Sequence, residues 1–124
     1  MINQILLYTG AFFVCFWGVA HLIPTKSVVK GFGEISHDNQ RIITMEWIVE
    51  GVSLVFIGFL VAVVTMINYS SIVSKALFWI CFAELNIFSF ISLFTGFKVN
   101  FLPFKLCPLI FTLSSVLILL GVLL

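Results

Sequence analysis

Apolar residues fall in four long runs along the chain, about 5–23, 43–67, 75–96 and 106–124, and most charged residues lie between them. Each run reaches the ~20 residues that carry an α-helix across ~30 Å of hydrocarbon. None shows the strict alternation of a barrel strand, and in lipid only helices and closed barrels satisfy their own backbone. The pattern predicts an all-α membrane protein, a single domain over residues 1–124 with four transmembrane helices. The first run lacks a basic leader and a small-residue cleavage site before "HLIPTK", so it reads as a retained span rather than a signal peptide. The second can start early. Ser36, with Asp38 and Asn39 behind it, makes a helix start in "SHDNQRI" and predicts a helix that protrudes from the membrane.

The connections fix the topology. The longest, 24–42, is broken at Gly31 and Gly33, and its "SVVKGF" suits a short interfacial turn. The third, 97–105, carries two lysines and a proline. Short connections make sequence neighbours antiparallel, which gives an up-down four-helix bundle. Lys26, Lys30, Arg41, Lys98 and Lys105 lie at the first and third connections, against Lys75 and the amino terminus at the other side. By the positive-inside rule these two loops are expected in the cytoplasm and both termini outside it, in a membrane of the bacterial inner (plasma) type.

Composition removes the competing classes. The chain is 62% hydrophobic and 9% charged, whereas a water-soluble domain carries about 25% charged residues. A net charge of +1 with no basic block gives nucleic acid nothing to bind. The three cysteines, Cys15, Cys81 and Cys107, lie in or beside apolar runs. Their odd number and lack of metal spacing argue against a disulfide framework or a zinc site, and they read as small hydrophobes. No metal site is expected. The 15 phenylalanines read as lipid-facing or core-filling.

Against this background three acids need a reason. A carboxylate at the centre of a span costs roughly 2.5–3.5 kcal/mol on insertion scales, so such groups face the bundle interior, a partner or water. Glu84 sits near the middle of the third run, Glu50 about two turns into the second, and Glu46 about one turn in. Glu46, Glu50, Ser53 and Ile57 recur at i, i+4, i+7 and i+11 and share one stripe. Gly10, Val14, Trp17 and His21 form a similar stripe in the first run, which ends with His21 at the level where the second run enters. Histidine beside carboxylate at that level suits a proton relay, a ligand clamp or an acid–base pair. A polar track from Glu46 through Glu50 to Glu84 follows if the third span faces the second. Glu46 alone reads as an interfacial carboxylate paired with Arg41 or Lys26. Asn86 lies about 200° around the helix from Glu84, so it is expected to bond another helix, at Ser114 or Ser115. Trp47 reads as an interfacial anchor, with Tyr8 and Tyr69 at the other interface. Gly51, Gly58 and Ala62 suit close helix packing. The chemical candidates are thus His21, Glu50 and Glu84, with Trp17, Glu46, Trp47, Ser53 and Asn86 as ligand-binding candidates.

Three stretches carry a family resemblance. The first span ends "GVAHLIP" (18–24), the second holds "WIVEGVSLVFIGFLV" (47–61), and the last follows "LPFKLCP" (102–108). This layout resembles the DoxX-like family of small four-helix membrane proteins. Gly18 and His21 match its motif at the end of the first helix, and Glu50 matches the acid of the second. Gly51 follows Glu50, where the family's glycine is expected a few residues before its acid, and Glu84 has no counterpart. The resemblance implies a membrane subunit associated with quinone-linked oxidation. The expected function is binding of a lipophilic small molecule, quinone- or isoprenoid-like, in an intramembrane His/Glu site. A membrane enzyme doing acid–base chemistry on such a molecule and a proton-coupled transporter or channel subunit are the alternatives. No cofactor is specified. The expected partners are the lipid bilayer, that ligand, and further copies or subunits of a membrane complex.

Overall fold

The computed structural model describes all 124 residues, which form five α-helices and no strand. They are α1 (Ile2–Leu22), α2 (Thr25–Lys30), α3 (His37–Asn68), α4 (Ile72–Phe94) and α5 (Leu102–Leu123), with a 3-10 turn at Gly96–Lys98 before α5. Four of them, all but α2, are long and apolar enough to cross a membrane. The up-down bundle expected from the runs is the fold of the protein.

Local chemistry sets the ends. The Ser36 hydroxyl accepts from the Asn39 amide at 3.2 Å, so α3 starts at the predicted cap. At ~1.5 Å per residue its 32 residues extend about 48 Å, longer than ~30 Å of hydrocarbon. "SVVKGF" is helical for most of its length in α2, and Gly33, at φ 75°, turns the chain towards α3. Besides α3, three helices begin before their apolar runs: α1 at Ile2, α4 and α5. Ser71 caps α4 through the Ser74 amide at 3.1 Å, which moves its start to Ile72. Pro103 lies in the first turn of α5, where a missing N–H costs nothing, and the helix begins at Leu102.

The helices form a ring in chain order that is closed on three sides. In lipid the helices gain little from leaving water, so association depends on close packing. Glycines provide it. A Cβ at Gly18 would lie 2.8 Å from both the Gly51 carbonyl and the Val55 amide, and one at Gly58 would lie 2.6 Å from the Ala11 carbonyl. The backbones of α1 and α3 thus touch directly. On the other flank of α1, a Cβ at Gly10 would meet the Ser114 carbonyl of α5 at 3.0 Å. Asn3 Nδ2 donates to the Gly121 carbonyl at 3.3 Å and ties the two terminal ends together. α4 packs on α5, where the Ser89 hydroxyl donates to the Pro108 carbonyl at 3.0 Å and lies 2.8 Å from Thr112 Oγ1. Leu7, Val14, Leu54, Phe78, Leu85, Phe111 and Ile118 fill the shared core. Only α3 and α4 touch sparsely. The fourth side of the ring stands ajar.

Candidate functional site

The opening between α3 and α4 is where the predicted polar residues collect. His21 ends α1 against Gly51, where a Cβ would lie 3.2 Å from His21 Cδ2. The missing side chain lets the imidazole settle on the α3 backbone. One turn of α3 then surrounds it. The Trp47 indole stacks on the ring, with centroids 3.8 Å apart and planes 15° apart. Trp47 Nε1 donates to the His21 carbonyl at 2.8 Å, satisfying one of the last-turn carbonyls a helix leaves open. Glu50, three residues on, brings Oε2 to 3.6 Å from His21 Nε2.

That distance is longer than the 2.7–3.2 Å of an ordinary hydrogen bond. His21 Nε2 is sealed from solvent and has no hydrogen-bond partner in the protein. The two side chains differ sharply in exposure, 5% for His21 and 45% for Glu50. The pair therefore has an inner and an outer member. The carboxylate faces the opening and the histidine lies sealed behind it.

Three adjoining chambers make up the cleft. One, of about 290 Å³, lies between Glu50 and the α4–α5 end, with Phe88, Ser92, Thr95, Phe104 and Cys107 on its walls. A second, of about 410 Å³, opens at Glu46, Trp47, Glu50 and Ser53. A third, of about 460 Å³, runs deeper past Ser53, Phe56, Cys81 and Glu84. Glu50 borders the first two, Ser53 the last two and Phe88 all three, so the chambers adjoin one another along the α3–α4 side of the bundle. Glu46, Glu50, Ser53 and Ile57 of the α3 stripe each border one or more of these chambers, and Glu84 borders the third from α4.

Other candidates fall elsewhere. Glu46 is exposed at the mouth and does not pair with Arg41 or Lys26; the Arg41 guanidinium lies 3.9 Å from Asp38 instead. Five residues along a helix turn Arg41 about 140° away from Glu46, whereas three keep it near the Asp38 face. Asn86 does not reach Ser114 or Ser115. Its amide donates to the Phe82 carbonyl of its own helix at 2.7 Å, and Ser115 bonds Thr112 O. The α4–α5 bridge comes from Ser89, which shares the buried face of Cys81 and Leu85. Trp17 lies behind the cleft, its indole N–H buried without a hydrogen-bond partner and beside Cys107. Ser53 lines the groove, but its hydroxyl is bonded to Val49 O at 2.7 Å.

Comparison with known protein families, known proteins and solved structures finds no match. What the site can do must follow from its own geometry. A carboxyl group on a lateral opening can hydrogen-bond a polar head, while the sealed imidazole behind it acts through that carboxyl. The same pair can pass a proton between its two members. No three metal-type ligands converge anywhere in the fold.

Sequence reasoning missed part of the wall. Phe104 and Cys107 were assigned to a loop and to inert packing, yet both border the chamber beside Glu50. Their signal was Pro103: starting α5 there places Phe104 and Cys107 three residues apart on one helical face. Phe88, Ser92 and Thr95 had no signal beyond their α4 spacing.

Proposed function

We propose that the protein is a membrane subunit that binds a lipophilic small molecule, quinone- or isoprenoid-like, in the cleft between α3 and α4. The polar head lies at Glu50, backed by His21, and the apolar tail follows the groove past Phe88. The observation that carries this reading is Glu50, half-exposed on the wall of the α3–α4 opening, with the unpartnered His21 Nε2 sealed 3.6 Å behind it. A buried polar atom without a partner costs about 1–3 kcal/mol, and Glu50, which stands between that atom and the opening, is the group that can offset it while meeting the guest's polar head. A sideways opening suits a guest that arrives from lipid rather than from water.

The resemblance to the DoxX-like family supports the same reading, because Gly18, His21 and Glu50 sit at one α1–α3 contact. We place the chain in that family, with a redox-associated role, in a bacterial inner membrane. Its basic end, with α2 and the 97–105 connection, faces the cytoplasm. Glu84 on the same groove favours a second reading, a membrane enzyme that uses Glu50 and Glu84 as proton donor and acceptor on that guest.

Mass spectrometry of lipids co-purifying with the detergent-solubilised protein tests the first reading. A stoichiometric lipophilic molecule, retained at least ~10-fold less (about 1.4 kcal/mol) by Glu50→Gln and by His21→Gln, is the expected result. Equal retention by all three proteins, or none by the parent, contradicts it. Turnover of the retained molecule, lost in Glu84→Gln, marks the enzyme.

A further inference from the structure

The far end of the groove has its own unexplained acid. Glu84 is half-buried midway along α4, on the wall of the 460 Å³ chamber. Neither of the protein's two ion pairs includes it. The nearest cation on its own helix, Lys75, is nine residues away, about 13 Å of helical rise. The other basic side chains belong to the opposite end of the bundle. Seven of the nine lining residues are hydrophobic. The other two are Glu84 itself and Ser53, which has committed its hydroxyl to Val49 O. Cys81 offers only a weak thiol donor. The wall therefore supplies neither a charge nor a strong donor to this carboxyl.

We propose that the Glu84 chamber is a binding site for a lipophilic organic cation, separate from the head-group position at His21 and Glu50. A carboxyl that releases its proton to water as a cation arrives holds that cation by Coulomb attraction, which strengthens as the surroundings lose water. Phe56 and Phe88 border the same chamber, and aromatic faces add a further attraction for a cation within ~6 Å. The chamber volume lies within the ~300–1,000 Å³ of small-molecule sites. A small inorganic ion is disfavoured. It would have to shed its water at this depth, and no second acid, histidine or third ligand converges there. A cation whose charge is spread beneath alkyl or aryl groups sheds little water and partitions into the bilayer. It then reaches Glu84 through the opening between α3 and α4.

Radiolabelled tetraphenylphosphonium is the probe, with protein in nanodiscs of phosphatidylcholine so that the lipid adds no anionic sites. Saturable binding is expected, weakened at least tenfold in Glu84→Gln and largely kept in Glu84→Asp. Glu34→Gln, an acid removed from the loop instead, should bind like the parent. The neutral triphenylphosphine oxide should not compete. Size-exclusion profiles and circular dichroism matching the parent show that each variant is folded. Absence of saturable binding, parent-like binding by Glu84→Gln, loss in Glu50→Gln in place of Glu84→Gln, or competition by the neutral compound overturns the proposal.

Discussion

At the residue scale the site rests on three side chains with distinct tasks. Trp47 fixes His21 by stacking on its ring and capping its carbonyl, and Glu50 approaches the ring nitrogen left over. If Glu50 and His21 act together, their losses should not add. A double-mutant cycle with His21→Gln and Glu50→Gln, read as thermal stability in detergent, should show a coupling of about 0.5–1 kcal/mol, the low end of the range for contacting residues. The 3.6 Å separation and the half-exposed carboxylate set that modest size. Glu46→Gln should cost less than Glu50→Gln, because Glu46 is exposed at the cleft mouth. Trp47→Phe keeps an aromatic ring over His21 and removes the 2.8 Å hydrogen bond, so it should destabilise by about 1 kcal/mol. Trp47→Leu, which loses the stack as well, should cost more. His21 and Glu50 were legible as neighbours because helical phase and chain direction place them at one level on antiparallel helices. The partner of Asn86 was not legible. A side-chain amide can turn back on its own helix at i−4 as readily as reach across, and phase does not distinguish these.

At the element scale the glycines decide which helices touch. Gly18→Ala and Gly58→Ala would push a methyl group into backbone atoms of the facing helix at 2.6–2.8 Å. Each should lower stability by about 1–3 kcal/mol, as overpacking does. Gly96→Ala is the contrast. Its Cβ would rest 3.4 Å from Phe104, an ordinary contact, so the melting temperature should stay within a degree or two. Helix existence and order were plain from the apolar runs, since each span needs ~20 such residues. The starts were less plain, because Ser71 and Pro103 act through caps at polar or loop-like positions outside the runs. That small error hid part of the site. With α5 begun too late, Phe104 and Cys107 lost their common face.

At the scale of the whole molecule, α1 is the hub. It packs against α3 through Gly18 and Gly58 and against α5 through Gly10, while α4 reaches the bundle through α5. The sparse α3–α4 contact leaves a groove on that side of the bundle, and that groove is the feature hydropathy could not reveal. Runs of apolar residues say that helices pack, but not which side of the ring stays open. The distribution of lysines also leads to a whole-molecule prediction. Single cysteines placed at Gly33 and at Asn100, in a background without Cys15, Cys81 and Cys107, should resist membrane-impermeant maleimide in intact cells. A cysteine at Ser70 should react.

A lipophilic guest that enters between α3 and α4 with its head at Glu50 should touch the walls of that opening along its length. A quinone with a photoreactive diazirine beside its ring, cross-linked in native membranes and mapped by peptide mass spectrometry, tests this most directly. Labels should concentrate on the groove walls, at Trp47, Glu50, Phe88 and Ser92, and should fall in Glu50→Gln. Labels spread over lipid-facing positions such as Phe12, Phe16 and Leu109, unchanged by Glu50→Gln, would contradict the account.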